Sequence, residues 1–203
     1  MKKFLARGFT LVELLIVIAL LGTIALIVIA AINPVEQSNR TYDTKYKTDG
    51  GQIISAIDRF YASQSKFPWE ACTGTGCPYT TSSDASFGFF TASHEGVGIC
   101  GANCSADGVL ITNNELKTEF RNRDFAKATG TSVDKKIFIG KATGSSQSIY
   151  ACFVPHSKST KDKAIAEGKV WTIDTTNGTR TSTTSCTANS DWVAGGCYVC
   201  IPE

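Results

Sequence analysis

Residues 9–32 read FTLVELLIVIALLGTIALIVIAAI, an apolar run with a single charged side chain, Glu13. As a helix this run reaches roughly 36 Å, enough to cross a bilayer core of about 30 Å. The residues before it, MKKFLARG, carry Lys2, Lys3 and Arg7 and no acid. Basic residues on one flank hold that end in the cytoplasm and send the rest of the chain across. A secretory signal peptide has a shorter apolar core, of about 7–15 residues, followed by a small-residue cleavage site. Ala30 and Ala31 would offer such a site, but the run is too long. A plain membrane anchor accounts for the length and leaves Glu13 unexplained, because a carboxylate within the bilayer costs about 2.5–3.5 kcal/mol on insertion scales.

The stretch RGFTLVELLIVIALLG, residues 7–22, resembles the N-terminal signature of type IV prepilins and type II secretion pseudopilins. The match lies in the combination of a basic leader, a glycine, Phe-Thr-Leu, and one glutamate in an otherwise apolar run. The resemblance implies that a prepilin peptidase cuts between Gly8 and Phe9 on the cytoplasmic side, and that the new amine of Phe9 is methylated. It also implies that Glu13 sets the register between assembled helices. A free α-amine is positive near neutral pH, so Glu13 of one copy can neutralise Phe9 of the next. Breaking such a pair leaves an uncompensated charge in an apolar setting. The implied partners are other copies of the chain or related pilins, the prepilin peptidase, and an assembly platform in the membrane. The match is confined to this N-terminal segment; the rest of the chain resembles the family only in layout.

Asn33-Pro34 ends the apolar run. Proline removes a helix hydrogen bond, so the pair is read as the disturbed boundary between the membrane and soluble halves of one long helix, with the end of one helix and the first position of the next as the close alternative. Beyond it Val35, Tyr42, Tyr46, Ile53, Ile57 and Phe60 recur at helical spacings, widened by Ile54 and Tyr61. This predicts a helix to about residue 63 with one buried face, and Gly50-Gly51 as a bend. Residues 65–108 are rich in Ser, Thr, Gly and Pro and read as loop, with Phe87, Phe89 and Phe90 tucked onto the core. Residues 113–128 read as a short helix capped by Thr112 or Asn113, with Leu116, Phe120 and Phe125 on its apolar side. From residue 136, KIFIGKA, QSIYACFV, KVWTIDT and CYVCI read as strands of an antiparallel sheet containing Phe138, Tyr150, Phe153, Trp171 and Tyr198. The expected class is α+β: a pilin-like long N-terminal helix, half of it transmembrane, packed on a C-terminal antiparallel sheet. The expected divisions are a cleaved leader at 1–8, a transmembrane or filament-core helix at 9–33, its amphipathic soluble half at 34–64, and a disulfide-rich domain at 65–203.

Eight cysteines all follow residue 70, behind the membrane segment, which points to an oxidising compartment and to disulfides. A reduced chain with a zinc site is the competing reading, but Cys197 and Cys200 form the one C-x-x-C, half of a zinc ribbon. Eight cysteines allow 105 complete pairings. The favoured set is Cys72–Cys77 and Cys100–Cys104 as small loop closures, Cys186–Cys197 across a turn, and Cys152–Cys200 between neighbouring strands. Crossed pairs, Cys72–Cys104 with Cys77–Cys100, remain open.

Other chemistry is thin. The net charge is +2, and the three leader cations account for it, so no basic stripe recommends nucleic acid. His94 and His156 are the only histidines. His156-Ser157 lacks a nucleophile elbow, and the Gly74 and Gly76 region leads into Pro78 rather than into a helix, unlike a phosphate loop. Asp162, Asp174 and Asp191 are spaced too loosely for a calcium loop, although some pseudopilins bind calcium near their C-terminal loops. Asn39, Asn103 and Asn177 match the N-x-S/T pattern. No enzyme activity, cofactor or metal is expected. The expected role is a structural prepilin polymerised through its N-terminal helix, stored in the cytoplasmic membrane and then built into a surface filament. The alternatives are a pseudopilin of a type II secretion system, or a membrane-tethered extracellular binding domain that does not polymerise.

Overall fold

The computed structural model describes residues 8–31, 33–74, 76–77, 79–127 and 132–202. The leader cations Lys2, Lys3 and Arg7, together with Ile32 and Pro78, lie outside the described residues, as does the side chain of Asn103. The chain divides into two units, residues 1–38 and 39–203.

The first unit contains helix α1, Leu11–Ala31. Its large side chains, from Leu11 to Ile29, are exposed within the chain. A helix apolar on every side needs lipid or other helices around it. Among the described residues α1 is the one helix long and apolar enough to cross a membrane. Helix α2 spans Pro34–Gln64. Asn33 lies outside both helices. Its side-chain Oδ1 accepts from the N–H of Glu36 at 3.2 Å, and its carbonyl accepts from the N–H of Gln37 at 3.2 Å. Asn33 is therefore an N-cap and Pro34 the first helical position, where a missing N–H costs nothing. Of the two sequence readings at this point, the helix restart holds.

The second unit continues along α2 into α3 (Pro68–Ala71), β1 (Phe87–Thr91), α4 (Val109–Thr112), α5 (Asp124–Lys127), β2 (Phe138–Lys141), β3 (Ile149–Phe153), α6 (Lys158–Ala166), β4 (Trp171–Ile173), β5 (Arg180–Ser182) and β6 (Val199–Ile201). The main sheet has the order β1-β2-β3-β6 and every pairing is antiparallel. Strands β4 and β5 form a separate two-stranded ribbon, joined to the main sheet's chain by a bridge between Trp171 and Tyr198. The class is α+β.

Strand β3 shows how the layers form. Ile149, Ala151 and Phe153 join the core that holds Tyr46, Ile53, Ala56, Ile57 and Phe60 of α2. Tyr150 and Cys152 point into a second cluster with Phe89, Phe138 and Cys200, against which Trp171 and Ile173 of β4 pack. Alternation along a strand sends successive side chains to opposite faces, and here both faces are covered, so all five residues are buried.

Several expectations need correction. FGFFT, read as loop, is edge strand β1. Its register shifts between Phe87 and Phe89, and the extra residue, Gly88, sends Phe87 and Phe89 to different cores, as a bulge does. The helix expected over 113–128 is replaced by a 3-10 turn at Thr118–Asn122 and the short α5, and Thr112 and Asn113 end α4 rather than cap a new helix, with Asn114 at a positive φ of 62°; Leu116, Phe120 and Phe125 are nonetheless buried. Val35 is exposed at 67% and does not extend the buried stripe. Tyr61, also assigned to that stripe, is exposed. Gly50-Gly51 does not interrupt α2. Gly50 is instead a contact point, where an added Cβ would lie 3.1 Å from Ala151 Cβ and 3.2 Å from Ile201 Cδ1.

Candidate functional site

The N-terminal segment carries the site to which the motif points. Gly8, Phe9 and Thr10 lie outside any helix and are exposed, Phe9 at 73%. Helix α1 begins at Leu11, so Thr10 is its N-cap and Glu13 its third residue. The two side chains cap the helix reciprocally. Thr10 Oγ1 accepts from the N–H of Glu13 at 3.2 Å. Glu13 Oε2 accepts from the N–H of Thr10 at 3.3 Å and from its hydroxyl at 3.3 Å. This S/T-x-x-E arrangement satisfies two helix-end donors at once. A carboxylate in the first turn also lies at the positive end of the helix dipole. Both effects lower the cost of placing a charge beside apolar surroundings, and they explain how this span tolerates Glu13. In the intact chain the nitrogen of Phe9 is an amide without charge, and Thr10 is the partner that Glu13 has. Further along α1, Gly22 has nothing within 4 Å of where a Cβ would stand.

A buried polar cluster occupies the second unit. Asp43 of α2 is 3% exposed. It accepts from the N–H of His156 at 2.8 Å, the N–H of Ser157 at 3.0 Å and the hydroxyl of Ser157 at 2.7 Å. Burial alone would raise its pKa, but the hydrogen bonds from His156 and Ser157 outweigh it and hold the carboxyl below the usual carboxylate range. The His156 ring faces Asp43 through Nδ1 at 3.8 Å and Asp134 through Nε2 at 3.4 Å. Although Ser, His and Asp meet here, they do not form a nucleophile site. The Ser157 hydroxyl is fully buried, donates to Asp43 rather than to the imidazole, and caps α6 by accepting from the N–H of Thr160 at 3.1 Å. The cluster ties α2 to the start of α6. Neither Asp43 nor Asp49, the buried partner of Arg123, belongs to a sequence motif, yet they flank Tyr46 three residues to either side on the apolar face of α2.

The eight cysteines pair as Cys72–Cys77, Cys100–Cys104, Cys152–Cys200 and Cys186–Cys197. Cys152 and Cys200 are register partners across β3 and β6. Asp174 and Asp191 cap local turns, accepting from the N–H of Thr176 and from those of Val193 and Ala194. Among the described residues no group of three or more His, Cys, Asp or Glu side chains is placed to hold a metal ion.

Comparison with curated proteins and with solved structures returns no match. Residues 4–29 match the family model described as the prokaryotic N-terminal methylation motif. That span contains Gly8, Phe9, the Thr10–Glu13 box and nearly all of α1, and with it the chain carries the N-terminal signature of type IV pilins and pseudopilins.

Proposed function

We propose that this chain is the precursor of a structural subunit of a type IV pilus-like surface filament. In this reading residues 1–8 are a leader, 9–33 cross the membrane and later line the filament core, 34–64 are the soluble continuation, and 65–203 form the exposed disulfide-rich domain. The observation that carries it is α1, apolar on every side, exposed within its own chain, and bearing one carboxylate five residues after Gly8. Lipid surrounds such a helix before assembly, and neighbouring copies surround it afterwards. Prepilin peptidase hydrolyses the Gly8–Phe9 bond, and the amine of Phe9 is then methylated. Glu13 of one subunit neutralises the Phe9 amine of its neighbour and fixes the stagger between them. The disulfides suit a domain outside the cytoplasm.

Intact-mass measurement of the protein purified from its native membrane and filaments tests the reading. The expected species begins at Phe9, carries one added methyl group, and lacks eight thiol hydrogens. A mature chain that begins after Ala30 or Ala31 overturns it in favour of a secreted protein. A chain that retains its leader overturns it in favour of a tether.

A further inference from the structure

The Thr10–Glu13 box has a role before any filament forms. We infer that it positions the substrate for leader removal, by ending α1 at Leu11 and keeping the Gly8–Phe9 bond in exposed, non-helical backbone. The inference rests on the proposed processing at that bond.

The first N–H groups of a helix have no partner within it, and near a bilayer each unsatisfied group costs several kcal/mol. Here the box supplies the acceptors for Thr10 and Glu13. Without the Thr10 hydroxyl, the chain can satisfy the N–H of Glu13 by drawing residues upstream of Thr10 into the helix, with their carbonyls as acceptors. The next such residue is Phe9, and the one after it is Gly8. An extended helix would therefore absorb the two residues that flank the scissile bond. Hydrolysis adds water across that bond, leaving a carboxylate on Gly8 and an amine on Phe9, and the peptidase must reach the carbonyl of Gly8. Inside a helix this carbonyl is tied to an N–H four residues on. With the box in place Gly8 and Phe9 are exposed and belong to no helix. Thr10 is thus a positioning residue that acts through the helix boundary rather than by touching the reacting atoms. The same carboxylate is satisfied by Thr10 before hydrolysis, and hydrolysis creates the amine that becomes its second partner.

The test follows leader release by pulse-chase from the full-length chain, in membranes that contain prepilin peptidase, for the wild type, Thr10→Val and Thr10→Ser. Valine keeps the shape and removes the hydroxyl; serine keeps the hydroxyl. Thr10→Val should slow release about fivefold, the factor that corresponds to about 1 kcal/mol of lost cap, and Thr10→Ser should restore the wild-type rate. Hydrogen exchange on the uncleaved precursors gives a second reading: the Val12 amide, which would bond to the Gly8 carbonyl in an extended helix, should gain protection in Thr10→Val and not in Thr10→Ser. Equal release rates for all three chains, with cleavage still at Gly8–Phe9, overturn the positioning role and leave the processing reading intact. Equal slowing in Thr10→Val and Thr10→Ser also overturns it, because the peptidase would then be reading the threonine side chain itself. Slowed release in Thr10→Val without added protection of the Val12 amide overturns the helix-boundary mechanism. Absence of cleavage at Gly8–Phe9 in the wild type overturns the processing reading and this inference with it.

Discussion

The Asp43 carboxylate accepts three hydrogen bonds from residues more than a hundred positions away along the chain. Hydrogen bonds to a charged group contribute about 1.5–3 kcal/mol each at most, and the loss is partly offset when the charge itself is removed. Asp43→Asn keeps the shape but presents an amide to donors, so at neutral pH it should destabilise the protein by about 2–3 kcal/mol. The pH dependence follows from the lowered folded-state pKa. An acid held low when folded adds stability above its unfolded value, near pH 4, and loses it as pH falls through the folded value. The gap between wild type and Asp43→Asn should therefore be widest at neutral pH and close in acid. Urea unfolding of the full chain in detergent across that range checks it, and a gap that grows in acid would contradict the assignment. Asp49 works in the opposite sense. Burial pushes it up against the pull of Arg123, so its contribution declines as pH rises. The face carrying both acids was legible in the spacing around Tyr46. Their partners were not, because spacing along one helix says nothing about which distant N–H groups come to meet it.

Gly50 and Gly51 are neighbours on α2 with opposite surroundings. An added Cβ at Gly50 would press on Ala151 and Ile201, and one at Gly51 would meet nothing within 4 Å. Alanine is favoured over glycine in a helix by about 1 kcal/mol. Gly51→Ala should gain roughly that amount. Gly50→Ala should lose about 1 kcal/mol net, since overpacking a close contact costs about 1–3 kcal/mol. Urea midpoints of the two variants against wild type test the pair, and equal stabilisation by both would mean that α2 can move off the sheet freely. Elements with a clean period are legible in the sequence: α1, the apolar stripe from Tyr46 to Phe60, and strands β2, β3 and β6; β4 is legible as a strand, but Trp171 lies in the ribbon with β5 and not in the main sheet where the sequence reading placed it. The failures have physical causes. The bulge at Gly88 breaks the alternation of FGFFT, and α6 buries little beyond Ala164, so KSTKDKAIA offers no apolar stripe. Strand β5 reads Arg-Thr-Ser and is only partly buried. Likewise, the Thr10–Glu13 box stands in the sequence as T-x-x-E, but a glutamate in an apolar span directs attention to neighbouring molecules rather than to its own helix end.

For the molecule as a whole, Glu13 separates an anchor from a filament subunit. Glu13→Ala removes the one charge in the span, so a chain that is merely anchored should insert as well or better. A filament subunit should insert normally and enter filaments poorly, because the amine of Phe9 loses its partner. Glu13→Asp, with the charge kept and the reach shortened, should fall between the two. The readout is the ratio of sheared filament to membrane-retained subunit that has lost its leader, and an unchanged ratio in Glu13→Ala would remove the pairing role. In the proposed filament, where a subunit would bear load, the Cys152–Cys200 bond has a further consequence. It joins residues 48 apart in sequence, a stretch that could otherwise be drawn out to roughly 160 Å at about 3.4 Å per residue. Tension that pulls β6 away from β3 therefore meets a covalent stop. That length of chain, including the β4–β5 ribbon and the Cys186–Cys197 turn, stays slack between the two sulfurs and adds nothing to the extension.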